Sequence, residues 1–382
     1  MKSFYITTPI YYINFSPHIG HAYTSIACDI LARYNKLLGN DVYFLSGTDE
    51  HGQKVEQAAN NQSLKPQDFA DKMSVQFKDL ISFLNCETND FIRTTETRHK
   101  KAAQALWNKL LDNNQIYLSN YEGWYSIRDE AFYSENELIK KDGKFIAPSG
   151  AEVEWIKEES YFFKLSEWQD RLIDFYNNNP KSILPESRFN EVLSFIKSGL
   201  KDLSISRTTF AWGVPVPNNP KHVMYVWIDA LCNYLTSIGY PDENSANFKN
   251  YWPALHIVGK DILRFHSVYW PAFLMAADLE PPSRVFAHGW WTNEGEKISK
   301  SLGNVIDPYE IVSKYGLDQI RFFLFREVPF GNDGDFSKEA IAQRLNADLS
   351  NNYGNLVQRI CSFVKKNCDS KIFNNFDNNE DD

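Results

Sequence analysis

The 382-residue sequence predicts an α/β fold built on a parallel sheet, and two observations predict it. The first is strand–helix–strand alternation at the N-terminal end. SFYITT (3–8) is a short β-rich run, and a helical pattern follows from about His21 to Leu38. Gly39-Asn40 supplies its C-terminal stop, and DVYFLSGTDEHG then reads as a strand running into a polar loop. Amphipathic helices are expected near 66–84 and 96–114. Parallel strands need crossover connections of this length, whereas antiparallel neighbours do not. The second observation is that the pattern returns in HVMYVWIDALCNYLTSIGY and ALHIVGKDILRFHSVYWPAFLMAA. Between them, from about 116 to 222, short aromatic runs alternate with turns, which predicts a β-rich insertion followed by helical pieces up to about 200. Beyond it come the loop segment HGWWTNEGEKISKSLGN, helices near 307–315 and 317–327, and another starting near Ser337. The asparagine- and aspartate-rich end, IFNNFDNNEDD, is expected to be frayed or disordered.

Composition excludes some classes. Hydrophobic residues make up 43% and aromatics 15%, enough for a substantial core. The formal net charge of -9 does not exclude an RNA partner, because a local basic face is compatible with an acidic whole. No apolar stretch approaches the ~20 residues that span a bilayer, and the N-terminus lacks the features of a signal peptide. A cytoplasmic protein with no membrane partner is expected. The five cysteines are scattered and none forms a C-x-x-C pair, which argues against a disulfide framework and against a thiolate zinc site.

The sharpest motif is Pro17-His18-Ile19-Gly20-His21, between a strand and a helix. A helix N-terminus presents unpaired N–H groups and the positive end of the helix dipole, both suited to phosphate. Gly20 removes a side chain where a ligand must come close. His18 and His21, three apart, can face one ligand and donate to its oxygens. Alone, such a pair is more often a capped helix start with two solvated histidines. The second motif, Lys297-Ile298-Ser299-Lys300-Ser301-Leu302-Gly303-Asn304, shifts that balance. Displacement at the α-phosphate of ATP builds negative charge on the reacting phosphate and on departing pyrophosphate, and mobile ammonium groups stabilise both. A K-x-x-K loop by itself is common; the two motifs in this order are much more specific.

The pair resembles the HIGH and KMSKS signatures of class I aminoacyl-tRNA synthetases, with Ile298 at the usual methionine. That exchange keeps an apolar side chain of similar volume. The surrounding segments TTPIYYINFSPHIGHAYTSIACDILARY, FLSGTDEHGQKVEQAA, YVWIDALCNYLT, HIVGKDILRFHSVYWPAFL and ISKSLGNVIDPYEIVSKYGLDQIRFF resemble the methionyl-tRNA synthetase family over roughly residues 3–360. The resemblance implies a Rossmann-type catalytic domain in two halves, 1–115 and 223–285, split by a connective insertion, 116–222. A stem-contact unit with the lysine loop, 286–345, and the first helix of an α-helical anticodon-binding domain plus a disordered tail, 346–382, would follow. It also implies a methionine–tRNA ligase that joins methionine to ATP, releases pyrophosphate and transfers methionine to tRNA(Met). Magnesium would enter through the ATP phosphates rather than a protein cage.

A free amino acid brings an ammonium that needs acceptors. Asp49, at a strand's C-terminal end where open α/β sheets bind ligands, is the candidate, against the alternative that it caps the next helix. The resemblance adds the carbonyl of Ile10. A thioether needs an apolar, deformable pocket with aromatic neighbours. The resemblance assigns that pocket to Tyr12, Trp227, Tyr234, Phe265, His266 and Trp270, with Ile10, Ala230 and Leu231 beside them. By spacing alone, most of these read as core. Leu231 stands where some members have proline. His266 could donate to sulfur or to Tyr234, or be a satisfied core histidine. Gly259-Lys260-Asp261 follows a strand-like run, so Gly259 permits close approach and Asp261 can accept from ribose hydroxyls; a glycine turn with a capping aspartate is the plainer alternative.

Many members of the family carry a zinc knuckle in the insertion. Here WYSIRDEAFY has Ser126 and Asp129 at the first cysteine pair, and FIAPSGAEVEW has no cysteine, so no zinc is expected and aromatic packing must hold the insertion. NADLSNNYGNLVQRICSFVKK resembles only the first helix of the anticodon-binding domain, so the chain is either a catalytic fragment, the favoured reading, or a variant that lacks the domain. Adenylate formation is expected to survive, efficient charging of tRNA is not, and a monomer is expected. Two other functions compete with this one. A synthetase for leucine, isoleucine or valine would carry a large editing domain, for which 116–222 is too short. A non-catalytic RNA-binding relative would be expected to have lost His18, His21, Lys297 or Lys300, and all four are present.

Overall fold

The computed structural model describes residues 2–129, 131–141, 144–298 and 303–372. Two compact units divide the chain, 1–290 and 291–382.

The larger unit is organised by a parallel sheet, seven-stranded among the described residues, in the order Ile183–Leu184, Arg284–His288, Leu255–Gly259, Ser3–Thr7, Asp41–Asp49, Tyr11–Tyr12, with Asp90–Arg93 also paired to Asp41–Asp49. Its pairings are parallel, for example Tyr5 with Tyr43 and Ile257 with Phe286. The helices Ile19–Leu37, Pro66–Phe83 and Thr97–Asp112 agree with the expected spans to within two residues at most boundaries, because their apolar stripes repeat at helical spacing. The first of them, however, starts at Ile19 rather than His21, with His18 as its extended N-cap. A helix not foreseen, Gln53–Asn61, follows Gly52 and buries only Val55 and Ala59, too few apolar positions to mark it by periodicity.

The stretch 116–222 holds an antiparallel sheet, Leu203–Ser204, Glu154–Phe163, Ile116–Ser126 and Ala131–Tyr133. It also holds the hairpin Ile139–Lys141/Lys144–Ile146 and the helices Gln169–Asn178 and Glu186–Lys197. Trp124 packs edge-on against Trp155 at 5.2 Å and lies 5.0 Å from Phe145; Tyr125 is 5.0 Å from Phe132. Polar contacts join the same loops: Arg128 donates to the Ser149 carbonyl (2.8 Å) and Tyr133 to Asp129 (3.0 Å). The strand Ile183–Leu184, inside this stretch, pairs with Val285 and Phe286, so the parallel sheet takes one of its strands from there.

The smaller unit has the strands Trp291–Asn293, Glu296–Lys297 and Gly334–Phe336, with the helices Pro308–Tyr315, Leu317–Arg326 and Lys338–Arg344. Trp291, Phe323 and Phe336 form its aromatic core. On its helix Asn355–Asn367, Leu356, Val357, Ile360 and Phe363 are exposed. Among the described residues no helix is long and apolar enough to cross a membrane.

Candidate active site

The C-terminal ends of the parallel strands open into one cavity of about 600 Å³, a volume suited to a small ligand. Its lining brings together His18, Gly20 and His21 with Ile10, Tyr12, Asp49, Trp227, Ala230, Leu231, Tyr234, Gly259, Asp261, Phe265 and His266. These come from segments far apart in sequence, so the gathering is a property of the fold rather than of spacing.

The helix start at His18 determines how the two imidazoles present themselves. The backbone N–H of Gly20 donates to His18 Nδ1 (3.1 Å), and the backbone N–H of His18 donates to His21 Nδ1 (3.0 Å). Each Nδ1 is therefore an acceptor, and each ring carries its proton on Nε2. The ring centroids lie 4.0 Å apart. Burial, and secondarily the neighbouring His18, hold His21 well below the ordinary imidazole range, so it is neutral. A Cβ on Gly20 would come within 2.9 Å of His18 Cε1, so the glycine is needed for the ring's position as well as for ligand approach.

Asp49, the last residue of its strand, is 7% exposed and lines the cavity. Its neighbour Glu50 is buried and held by Arg93 (2.7 and 3.0 Å) and Thr48 (2.8 Å), which anchors the strand end. Opposite chemistry lies on the helix Val226–Leu231 and beyond. Trp227 stacks flat on Phe265, with centroids 3.7 Å apart and planes 6° from parallel. His266 Nδ1 faces the Ile262 carbonyl (3.0 Å) and must donate to it. Burial, the leading cause, lowers its pKa to about 4, so the ring is neutral and Nε2 accepts from the Tyr234 hydroxyl (2.7 Å). His266 therefore accepts from Tyr234 rather than donating to it or to sulfur, because its one proton is already committed to the Ile262 carbonyl.

Trp270 is fully buried and does not line the cavity; its ring lies 6.2 Å from Tyr234. Asp261 accepts from the Trp290 indole (3.2 Å), and a Cβ on Gly259 would sit 2.5 Å from Asp261 Oδ1. Of Lys297, only the backbone in the strand Glu296–Lys297 is described; Ser299 and Lys300 lie outside the described residues.

Several lining residues escaped sequence reasoning: Asn14, Thr24, Lys54, Arg128, Tyr133, Arg264, His288 and Trp290. His288 ends the strand Arg284–His288, so the strand-end rule that selected Asp49 and Gly259 would have found it. Arg128 and Tyr133 reach the cavity from the insertion, and nothing local in sequence marks that.

This architecture and cavity define a protein of the α/β class with a ligand site at the ends of its parallel strands. The chain matches the family described as tRNA synthetases class I (M) over residues 4–361 and belongs to it. It is 61% identical over 372 residues to the methionine–tRNA ligase of Rickettsia conorii, covering 97% of this chain and 72% of that protein. Identity to the methionine–tRNA ligase of Brucella suis is 58%, with 97% and 72% covered. The solved structure of Mycobacterium tuberculosis methionyl-tRNA synthetase in complex with methionyl-adenylate is similar to this chain with a TM-score of 0.94 at 53% identity, over 97% of this chain and 73% of that one.

Proposed function

We propose that this chain is a methionine–tRNA ligase: it joins methionine to ATP, giving methionyl-adenylate and pyrophosphate, and then transfers methionine to tRNA(Met). The observation that carries this reading is the single cavity in which a histidine-capped helix start meets a buried carboxylate and an aromatic pocket. Asp49 and the carbonyl of Ile10 take the substrate ammonium. Tyr12, Trp227, Ala230, Leu231, Tyr234, Phe265 and His266 surround the thioether, with Trp270 behind Tyr234. His18 and His21 donate from Nε2 to phosphate oxygens, Gly20 keeps them in place, and Asp261 beside Gly259 receives the ribose hydroxyls.

A carboxylate oxygen of methionine attacks the α-phosphorus, the bond to the bridging oxygen breaks, and pyrophosphate leaves with the electron pair. The nucleophile is already ionised, so no general base is needed, and catalysis is positioning plus charge stabilisation. Lys297, Ser299 and Lys300 are assigned to the charge on the reacting phosphate and pyrophosphate. Among the described residues no group of three or more His, Cys, Asp or Glu side chains could hold a metal ion. Magnesium is assigned to the ATP phosphates, whose charge it would neutralise. In this reading 1–115 and 223–285 are the catalytic halves, 116–222 the connective insertion, 286–345 the stem-contact unit and 346–382 the start of the anticodon-binding part. The protein works in the cytoplasm as a monomer.

The test is a crystal structure with a non-hydrolysable sulfamoyl analogue of methionyl-adenylate. The account expects the ammonium on Asp49, the thioether against Tyr234, and the sulfamoyl group at the Nε2 atoms of His18 and His21. An analogue bound outside the cavity, or with its ends exchanged, overturns the assignment.

A further inference from the structure

Beside the cavity, but not lining it, lies a buried group that the activation chemistry does not use. Asp229 is completely buried, and its two carboxylate oxygens face two equally buried histidines: Oδ2 to His51 Nδ1 at 2.7 Å and Oδ1 to His99 Nε2 at 2.7 Å. Burial alone would raise this carboxyl, but the contacts with His51 and His99 outweigh it and hold Asp229 well below the usual carboxylate range. An ionised carboxylate only accepts, so both ring nitrogens donate.

The three residues come from three elements. His51 lies two residues beyond Asp49. His99 is on the helix Thr97–Asp112, and its other nitrogen is 3.3 Å from Thr236 Oγ1, in the helix Asn233–Thr236 that carries Tyr234. Asp229 is on the six-residue helix Val226–Leu231, whose Trp227, Ala230 and Leu231 face the cavity. His51 is itself backed edge-on by Trp212 (5.5 Å), whose backbone carbonyl accepts from the Gly52 N–H (3.0 Å). For stability alone such an arrangement is poor value, since apolar packing of similar volume is often as good as buried ions. What two directional bonds to one carboxylate add is geometry.

We propose that Asp229, clamped by His51 and His99, is a positioning residue that sets the pocket helix Val226–Leu231 against the strand end at Asp49, and thereby the fit of the amino-acid substrate. This rests on reading the cavity as the methionine site. The clamp acts on the ammonium-to-side-chain distance, so it governs methionine rather than ATP.

The experiment measures methionine-dependent ATP–pyrophosphate exchange, with KM for methionine and for ATP, in the wild-type chain and in His51→Ala, His51→Asn and His51→Gln. The asparagine amide nitrogen reproduces the Nδ1 donor; the glutamine amide does not. His51→Ala should raise the methionine KM about tenfold or more, as expected for losing a bond to a buried charge, with the ATP KM within about twofold. His51→Asn should recover the methionine KM to within about threefold of wild type. If His51→Ala does not fold, Asn against Gln makes the same comparison. An unchanged methionine KM in Ala and Gln, equal rises for methionine and ATP, or an Asn variant as impaired as Ala or Gln, overturns the positioning role. A wild-type chain without methionine-dependent exchange would instead remove the reading of the cavity.

Discussion

Replacing Gly20 by alanine separates the function of the histidine motif from its contribution to folding. The new Cβ would lie 2.9 Å from His18 Cε1, closer than such atoms approach, and 3.1 Å from Nδ1, a tight contact. The neighbour is a side chain, so the ring can turn away rather than force the backbone. Turning breaks the 3.1 Å bond from the Gly20 N–H, a cap worth about 1 kcal/mol. Alanine in place of glycine within a helix returns about 0.8–1 kcal/mol. The two nearly cancel, and urea unfolding should show a stability change of less than about 1 kcal/mol. Activity has no such compensation. The His18 Nε2 donor leaves the phosphate position, and loss of one donor aimed at transition-state charge costs about 100- to 1000-fold in turnover. Methionine-dependent ATP–pyrophosphate exchange measures this. Activity within twofold of wild type, or a large loss of stability accompanying the loss of activity, would refute the argument.

Three further predictions follow from the same geometry. Asp49→Asn should raise the methionine KM about 10- to 100-fold, the value of a charge-assisted hydrogen bond, while leaving the ATP KM near wild type; an unchanged methionine KM would remove Asp49 from the ammonium site. Tyr234→Phe deprives the buried His266 Nε2 of its donor and should destabilise the fold by about 1–3 kcal/mol in urea titrations, with weaker methionine binding in calorimetry. For pH, His266 is depressed from 6.5 to about 4 by burial, so between those values the unfolded chain binds a proton that the folded chain refuses. Stability should be intact above about pH 6.5 and fall by about 3 kcal/mol from this group as the pH drops to 4, with the buried His256, His21 and His288, all lowered by burial, adding to the slope. A flat stability profile from pH 7 to 5 would contradict the neutral assignment.

Much of the parallel-sheet frame was legible because its elements announce themselves locally. The strand Asp41–Asp49 carries the apolar run Val42–Leu45 and is buried on both faces from Phe44 onward, and Pro66–Phe83 repeats apolar positions at helical spacing. The histidine motif was legible for a similar reason, since a strand, a turn and a helix start lie within twenty residues. The aromatic pocket was not. Trp227 and Phe265 are stacked within 3.7 Å yet stand at spacings that ordinary core residues share, and only the family resemblance separated them from the core. The role of His266 was hidden for another reason: its direction as acceptor depends on whether its Nδ1 donates to the Ile262 carbonyl four residues earlier, a side-chain choice at the π-helical turn Phe265–Tyr269 that spacing does not specify. The carboxylate clamp at Asp229 depends on contacts across more than a hundred residues, and Arg128 lines a cavity shared with residues equally distant in sequence, which no local pattern encodes.

The central claim is that the cavity activates methionine with ATP, and exchange of labelled pyrophosphate into ATP by this chain tests it most directly. The account predicts exchange that requires methionine, is not supported by leucine, isoleucine or valine at comparable concentration, and is abolished in His18→Ala, His21→Ala double variants that remain folded. Exchange driven equally by another apolar amino acid, or none with any, would contradict it.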